Sequence, residues 1–394
     1  MDMVEYRALR SAETETFDRI RQYAFHPQDG PPDSSDDTDN SELGDRYGLF
    51  DDGELVSVCL QYDFEARLRG EWIDLGGLGA VATGPEHRRQ GYARELIRES
   101  IRSFAAQGSP LVTLWPFETE FYRQFGFGPA NTVTHYECAP GVLTDLGDSE
   151  GEFQPVDPSA WRTLRAVHLT AGEGETLSRR LGEAWWRRRV FREWGEDRRH
   201  VYRYDRGGTP AGYLAYGVED SELAVAEMGA VDHDAFCELL GFLGRHGPQI
   251  DRVAFERAGD SSLLHLVSEP EALECTIEPG PMVRATAVEM ALATTPYPDG
   301  TDAAVTVAVT DPLTPDEEET YHLDVKDGSA SVQSTPAENP DLTIDVGTLS
   351  GLIVGALDVP AAEKHGDLAI ESAAVRSTVA DLFPTEQVYL REFF

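Results

Sequence analysis

A chain of 394 residues exceeds what one hydrophobic core normally serves, so two or three domains are expected. The formal charge of -38 coexists with 41% hydrophobic residues, which argues against disorder, and no basic stripe marks a nucleic-acid surface. No run approaches eighteen apolar residues and the N-terminus lacks a hydrophobic signal region, so a cytoplasmic protein with no membrane partner is expected.

Lys326 and Lys364 are the only lysines, and acidic residues abound along the whole length. This composition reads as a halophilic surface. At molar salt the Debye length falls to about 3 Å and self-repulsion is largely screened, so the acidity says little about partners. Cys59, Cys138, Cys237 and Cys275 have no CxxC spacing, which supports neither a metal site nor a disulfide framework.

In chain order, residues 13–25 have helical periodicity, and the acidic stretch 27–45 reads as a mobile loop rimming a site. Extended runs at 55–68 and 71–83, joined at Arg69-Gly70, form a β-meander. An amphipathic helix over 90–107, a buried strand at 110–115, a short helix at 118–125 and a closing strand at Thr132–Cys138 complete a first domain, 1–145. A weaker copy fills 146–286: strands HVYRYD, GYLAYGVE and AVAEMGAV, the helix HDAFCELLGFLGRH and the strand DRVAFERA. Its junction Gly229-Ala230-Val231-Asp232-His233 lacks the Arg/Gly turn of the first copy. Upstream of that copy's strands, Trp185, Trp186 and Trp194 sit in an arginine-rich helix whose aromatics are expected to pack between domains. A third region, 287–394, alternates short strands with a helix from about Gly347 to Ala356, a compact α+β unit.

The diagnostic run is LGAVATGPEHRRQGYARELIRES. A strand feeds a turn containing Gly91 and then a helix, whose first N–H groups lack intrahelical partners and whose dipole favours an anion. Such a turn receives a pyrophosphate. A Walker loop is excluded because the Gly-Lys-Ser/Thr ending is missing, and a dinucleotide fingerprint because the glycine spacing is wrong.

The pattern Arg88-x-x-Gly91-x-Ala93 resembles the (Q/R)xxGx(G/A) signature of the GNAT N-acetyltransferases. That resemblance implies acetyl-CoA as co-substrate, its pyrophosphate held by Arg88, Arg89, Gln90, Gly91, Tyr92, Ala93 and Arg94, and its pantetheine arm paired with the main chain of Val81, Ala82 and Thr83. The stretches FYRQFGFGPA and NPDLTIDVGTLSGLIVG, with an aromatic chain end, are similar to the enhanced intracellular survival (Eis) acetyltransferases. The likeness implies tandem GNAT-type domains, the second degenerate, followed by a sterol-carrier-protein-like domain, and a homo-oligomer, possibly a hexamer. It also places Tyr122 near the cofactor sulfur as proton donor, with Phe117 and Glu118 at the thioester end, and makes the terminal carboxylate of Phe394 the base. Two features depart from the family. The acidic loop is one, and Phe393 in the penultimate place is the other.

Acetyl transfer to an amine needs proximity, a base and an acid, with no covalent enzyme intermediate required. Direct transfer in a ternary complex is therefore expected, to a small amine or a lysine side chain, with no metal and no nucleic-acid partner. Tyr122 could instead be a core aromatic among Phe121, Phe125 and Phe127, and Phe393-Phe394 could simply cap the third domain. The competing reading of the whole is a carrier or scaffold binding an apolar ligand in the third domain.

Overall fold

In the computed structural model, described for residues 4–29, 43–147, 151–192, 198–259, 262–314, 319–336, 339–365 and 367–394, alternating apolar residues build three sheets. The chain begins with β1 (Glu5–Ala8), α1 (Thr14–Phe25), β2 (Asp45–Asp51), β3 (Glu54–Leu68) and β4 (Glu71–Thr83). Then come α2 (Tyr92–Gln107), β5 (Leu111–Leu114), α3 (Thr119–Arg123) and β6 (Gly128–Pro129). Asp52, Gly53, Arg69 and Gly70 all have positive φ, the backbone of a tight hairpin turn whose twist matches its strands. Most of the acidic loop expected at 27–45 lies outside the described residues.

The second sheet is built from β7 (Thr132–Cys138), β8 (Glu152–Pro155), β9 (His200–Arg206), β10 (Thr209–Glu219), β11 (Glu222–Ala230), β12 (Arg252–Ala258) and β13 (Leu273–Pro279). Its helices are α4 (Trp161–Ala171), α5 (Glu183–Trp185), which continues into a π-turn at Trp186–Val190, and α6 (His233–Gly244). Trp186 is fully buried beside His168 and Tyr213 of this same unit, and Trp194 lies outside the described residues. The remaining elements are β14 (Met282–Ala285), α7 (Val288–Thr294), β15 (Ala303–Thr310), β16 (Glu319–Lys326), β17 (Ser329–Ser334), β18 (Leu342–Asp345), α8 (Val346–Val354), α9 (Val359–His365), β19 (Leu368–Ile370) and α10 (Ala373–Leu382).

Strand orders are β1-β2-β3-β4-β5-β14-β6, β13-β7-β12-β11-β10-β9-β8 and β17-β16-β15-β18-β19, an α+β architecture. One expectation fails here. Thr132–Cys138 does not close the first sheet but pairs with β12 and β13 in the second, where Tyr136 stacks on Phe255 at 5.3 Å. The strand beside β5 is β14, and its Met282 joins the core of Leu96, Ile97, Phe104 and Leu114. A period-two pattern says which face of a strand is apolar, and it does not say which neighbour the strand takes. Contacts accordingly divide the chain into one unit of 1–130, 281–388 and 392–394, and another of 131–280 and 389–391.

Within the first unit the third sheet's helices dock on the first sheet through backbone contact and buried arginine. All nine residues of α8 are buried, and a Cβ at Gly128 would collide with the Gly347 carbonyl oxygen. Helix α8 therefore has no free face to give a lipid. Arg69, at the β3–β4 turn, donates to the carbonyls of Leu352, Ile353, Leu382 and Pro384, which collects the ends of α8 and α10. Its substitution strands buried carbonyls. Arg69→Ala is expected to lower unfolding free energy by about 1–3 kcal/mol, read from chemical denaturation; an unchanged midpoint would make the contact incidental.

Candidate active site

The site starts from a strand that loses its partner. On one side β4 pairs with β3 as far as Thr83, but on the other its parallel pairing with β5 covers only Leu75–Gly77. Ala80 at φ 49 marks the bulge, where the β3–β4 register slips. From there the β5-facing edge of Val81, Ala82 and Thr83 is open for another extended chain to pair with. Ser57 Oγ lies 2.9 Å from both the Ala82 carbonyl oxygen and Thr83 Oγ1, so the strand end is fastened on its β3 side.

After Thr83 the chain turns through Pro85–His87 and enters α2 at Tyr92, two residues later than the helix expected from Gln90. The delay has a backbone cause. Arg89 (φ 62) and Gly91 (φ 90) are both left-handed and cannot belong to an α-helix. Gly91 caps α2 without any side-chain hydrogen bond, and a Cβ built on it meets nothing within 4 Å. The first helical hydrogen bond runs from the Glu95 N–H to the Gly91 oxygen at 3.1 Å, so the amides of Tyr92, Ala93 and Arg94 precede it. This is a concave set of donors at the positive end of a sixteen-residue helix, which fits a pyrophosphate. Arg88 Nε donates to the Thr83 oxygen at 3.3 Å and Gln90 Nε2 to the Glu86 oxygen at 3.2 Å, which hold the turn, while the Tyr92 hydroxyl donates to Asp51.

Beyond β5, Phe117 and Glu118 are exposed, and α3 presents Tyr122. Tyr122 is only 4% exposed, packed edge-on against Phe117, Phe121 and Phe127. Burial, with the nearby Cys59, pushes its phenol above the ordinary tyrosine range, so it stays protonated. Its hydroxyl has no hydrogen-bond partner among the described residues. Cys59 is itself buried and pushed up to about 11, and burial raises the other three thiols as well. Thiolate nucleophiles are disfavoured at neutral pH.

Residues 392–394 lie against β4 and Trp115. The Phe394 ring is buried edge-on against Tyr62 at 5.3 Å and Phe64 at 4.9 Å. Its backbone carbonyl lies over β4: a Cβ at Gly79 would be 3.5 Å from the Phe394 oxygen, and one at Gly77 would be 3.0 Å from the Phe394 ring. On the β5 side, Trp115 Nε1 donates to the Glu392 carbonyl at 3.2 Å and its ring tilts on Phe393. The tail therefore lies across the gap where β4 and β5 part. Sequence reasoning missed the seat formed by Gly77, Gly79 and Trp115. The run Gly76-Gly77-Leu78-Gly79 was its available signal, since glycine weakens a strand interior and so marks a close approach.

The second sheet repeats the strand-to-helix junction with one change. Asp232 caps α6 by accepting the Ala235 N–H at 2.9 Å, and it pairs with Arg206. The protein's own carboxylate fills the place that Gly91 leaves open.

Comparison with known protein families agrees with these two junctions. Models of an acetyltransferase (GNAT) domain match residues 5–130 and again 177–285, and a sterol carrier protein domain matches 288–391. The chain thus carries two GNAT acetyltransferase domains followed by a sterol carrier protein domain. It is 29% identical over 212 residues to the N-acetyltransferase Eis of Mycobacterium tuberculosis, covering 49% of this chain and 51% of that one. It thus spans about half the length of that relative. Over 372 residues, 86% of each chain, it is 25% identical to an uncharacterized N-acetyltransferase of Streptomyces griseus. A solved structure from Enterococcus faecalis, a probable N-acyltransferase, superposes over 100% of both chains with a TM-score of 0.87 at 20% identity, a likeness of fold.

Proposed function

We propose that the protein is an acetyl-CoA-dependent N-acetyltransferase that moves the acetyl group directly to an amine within a ternary complex. The observation that carries this reading is the turn of uncapped amides that opens α2 at Gly91, beside the open edge of Val81–Thr83. Residues Arg88–Arg94 would hold the pyrophosphate through backbone amides, Val81–Thr83 would pair with the pantetheine arm, and Phe117 and Glu118 would flank the thioester end. The Phe394 carboxylate would take the proton from the acceptor amine, and the Tyr122 hydroxyl would protonate the departing sulfur. Raised thiol pKa values support direct transfer over a cysteine acyl-enzyme. The acceptor class is a small-molecule amine or a lysine side chain, and the test is an acetylation screen of amines in high salt. Coenzyme A release with no amine would sink the proposal. The carrier reading is disfavoured by the burial of α8 on every residue.

The cofactor should bind once per chain, because Asp232 occupies the second helix end. Titration calorimetry giving two acetyl-CoA sites would contradict this. Gly91→Val should weaken cofactor affinity, both by crowding the phosphates and by straining a φ of 90 that costs a β-branched residue about 1–3 kcal/mol. Unchanged affinity would remove the turn from the mechanism.

The domain division 1–145, 146–286 and 287–394 is offered as the evolutionary one, with strands β7 and β14 crossing between sheets. A halophilic, cytoplasmic homo-oligomer is proposed as its state, losing order in dilute buffer as carboxylate repulsion is unscreened. Sedimentation showing a stable monomer at low salt would refute both parts of that statement.

A further inference from the structure

The segment β11–α6–β12 repeats the splayed geometry of the active site. Strands β11 and β12 pair only where Glu222–Ala224 meets Arg252–Ala254, although they run on to Ala230 and Ala258. Past the last pair lies a cavity of about 440 Å³ whose walls all belong to the second unit. That volume is in the range of small-molecule sites, and the mouth beyond the carboxyl ends of parallel strands is where such sheets bind ligands. A pyrophosphate does not fit, since Asp232 already occupies the helix end.

The walls define a different ligand. Ala171, Ala230, Phe236 and Leu266 supply an apolar side. Arg257 lies 4.7 Å over the Phe236 ring, which holds its guanidinium flat. Other arginines on this sheet are neutralised: Arg203 by Asp205, Arg206 by Asp232 and Arg252 by Glu137. Arg257 has no carboxylate within ion-pair distance among the described residues, in a chain with 71 acidic and 33 basic side chains. The other wall arginine, Arg391, is matched by Glu227 at 3.4 Å. Of the wall carboxylates, Asp232 is engaged by Arg206 and the Ala235 N–H. One available planar cation and an apolar side select a monoanion with an apolar body, since a second negative charge would find no cation of its own.

We infer that this cavity binds a small organic monocarboxylate, its carboxylate held bidentately by Arg257 and its apolar part against Phe236 and Leu266. The cavity lies outside the proposed catalytic machinery, so binding and acetyl transfer are separable. The test is titration calorimetry of the full chain at constant salt with phenylacetate, succinate and inorganic phosphate. Phenylacetate should bind at one site per chain, with succinate and phosphate weaker. Arg257→Ala should weaken phenylacetate about 10-fold to 100-fold and leave acetyl-CoA affinity unchanged. Ala230→Trp, which fills the cavity while keeping Arg257, should abolish phenylacetate binding. No heat with phenylacetate, full affinity in either variant, or tighter binding of succinate or phosphate would overturn the assignment.

Discussion

Adding a few residues after Phe394, such as a C-terminal purification tag, is expected to abolish or sharply reduce acetylation without moving the melting temperature or cofactor affinity. A peptide bond at Phe394 replaces a carboxylate with an amide, which carries no charge and accepts no proton from an amine. An unperturbed α-carboxyl titrates near about 3.5 and is ionised at neutral pH. Loss of a positioned general base typically costs about 100-fold to 10,000-fold. Fold should survive, because the ring contacts with Tyr62 and Phe64 do not involve the carboxylate. Gly79→Val offers a second route to the same end, since a Cβ there already stands 3.5 Å from the Phe394 oxygen and 3.0 Å from the Tyr62 ring. An extended protein with full activity in high salt would show that the terminal carboxylate is not the base.

Tyr122→Phe is expected to cut turnover by about 100-fold to 10,000-fold with cofactor affinity nearly intact, because the substitution deletes only a proton donor. The aromatic packing against Phe117, Phe121 and Phe127 is kept by phenylalanine, so stability should change little. A thiol titrates near about 8.5 and an ordinary phenol near about 10. Burial raises the Tyr122 phenol further, so it holds its proton until a departing thiolate takes it. That Tyr122 belongs to the apolar cluster is therefore compatible with a catalytic part. Rate measurements separate the two: near-wild-type turnover in Tyr122→Phe would leave it a packing residue only.

Local signals determined a good deal about this protein. Arg88-x-x-Gly91-x-Ala93 announced the turn before α2, because left-handed φ at Gly91 and uncapped amides are properties of a few consecutive residues. The tight turn at Arg69-Gly70 and the strand bounds at 71–83 were readable for the same reason, as were the buried positions Leu96, Ile97, Ile101 and Phe104 of α2. Tertiary structure decided which sheet each strand joined. Thr132–Cys138 alternates and Met282–Ala285 is buried throughout, yet neither pattern names a partner: one pairs in the second sheet and the other beside β5, because ladder partners are chosen by burial of the whole face. It also decided the seat of the chain end. Phe394 lies over Gly77 and Gly79, more than three hundred residues away in sequence, and no periodicity spans such a distance. Side chains that meet across a fold are brought together by packing, which a linear pattern of residue types does not encode.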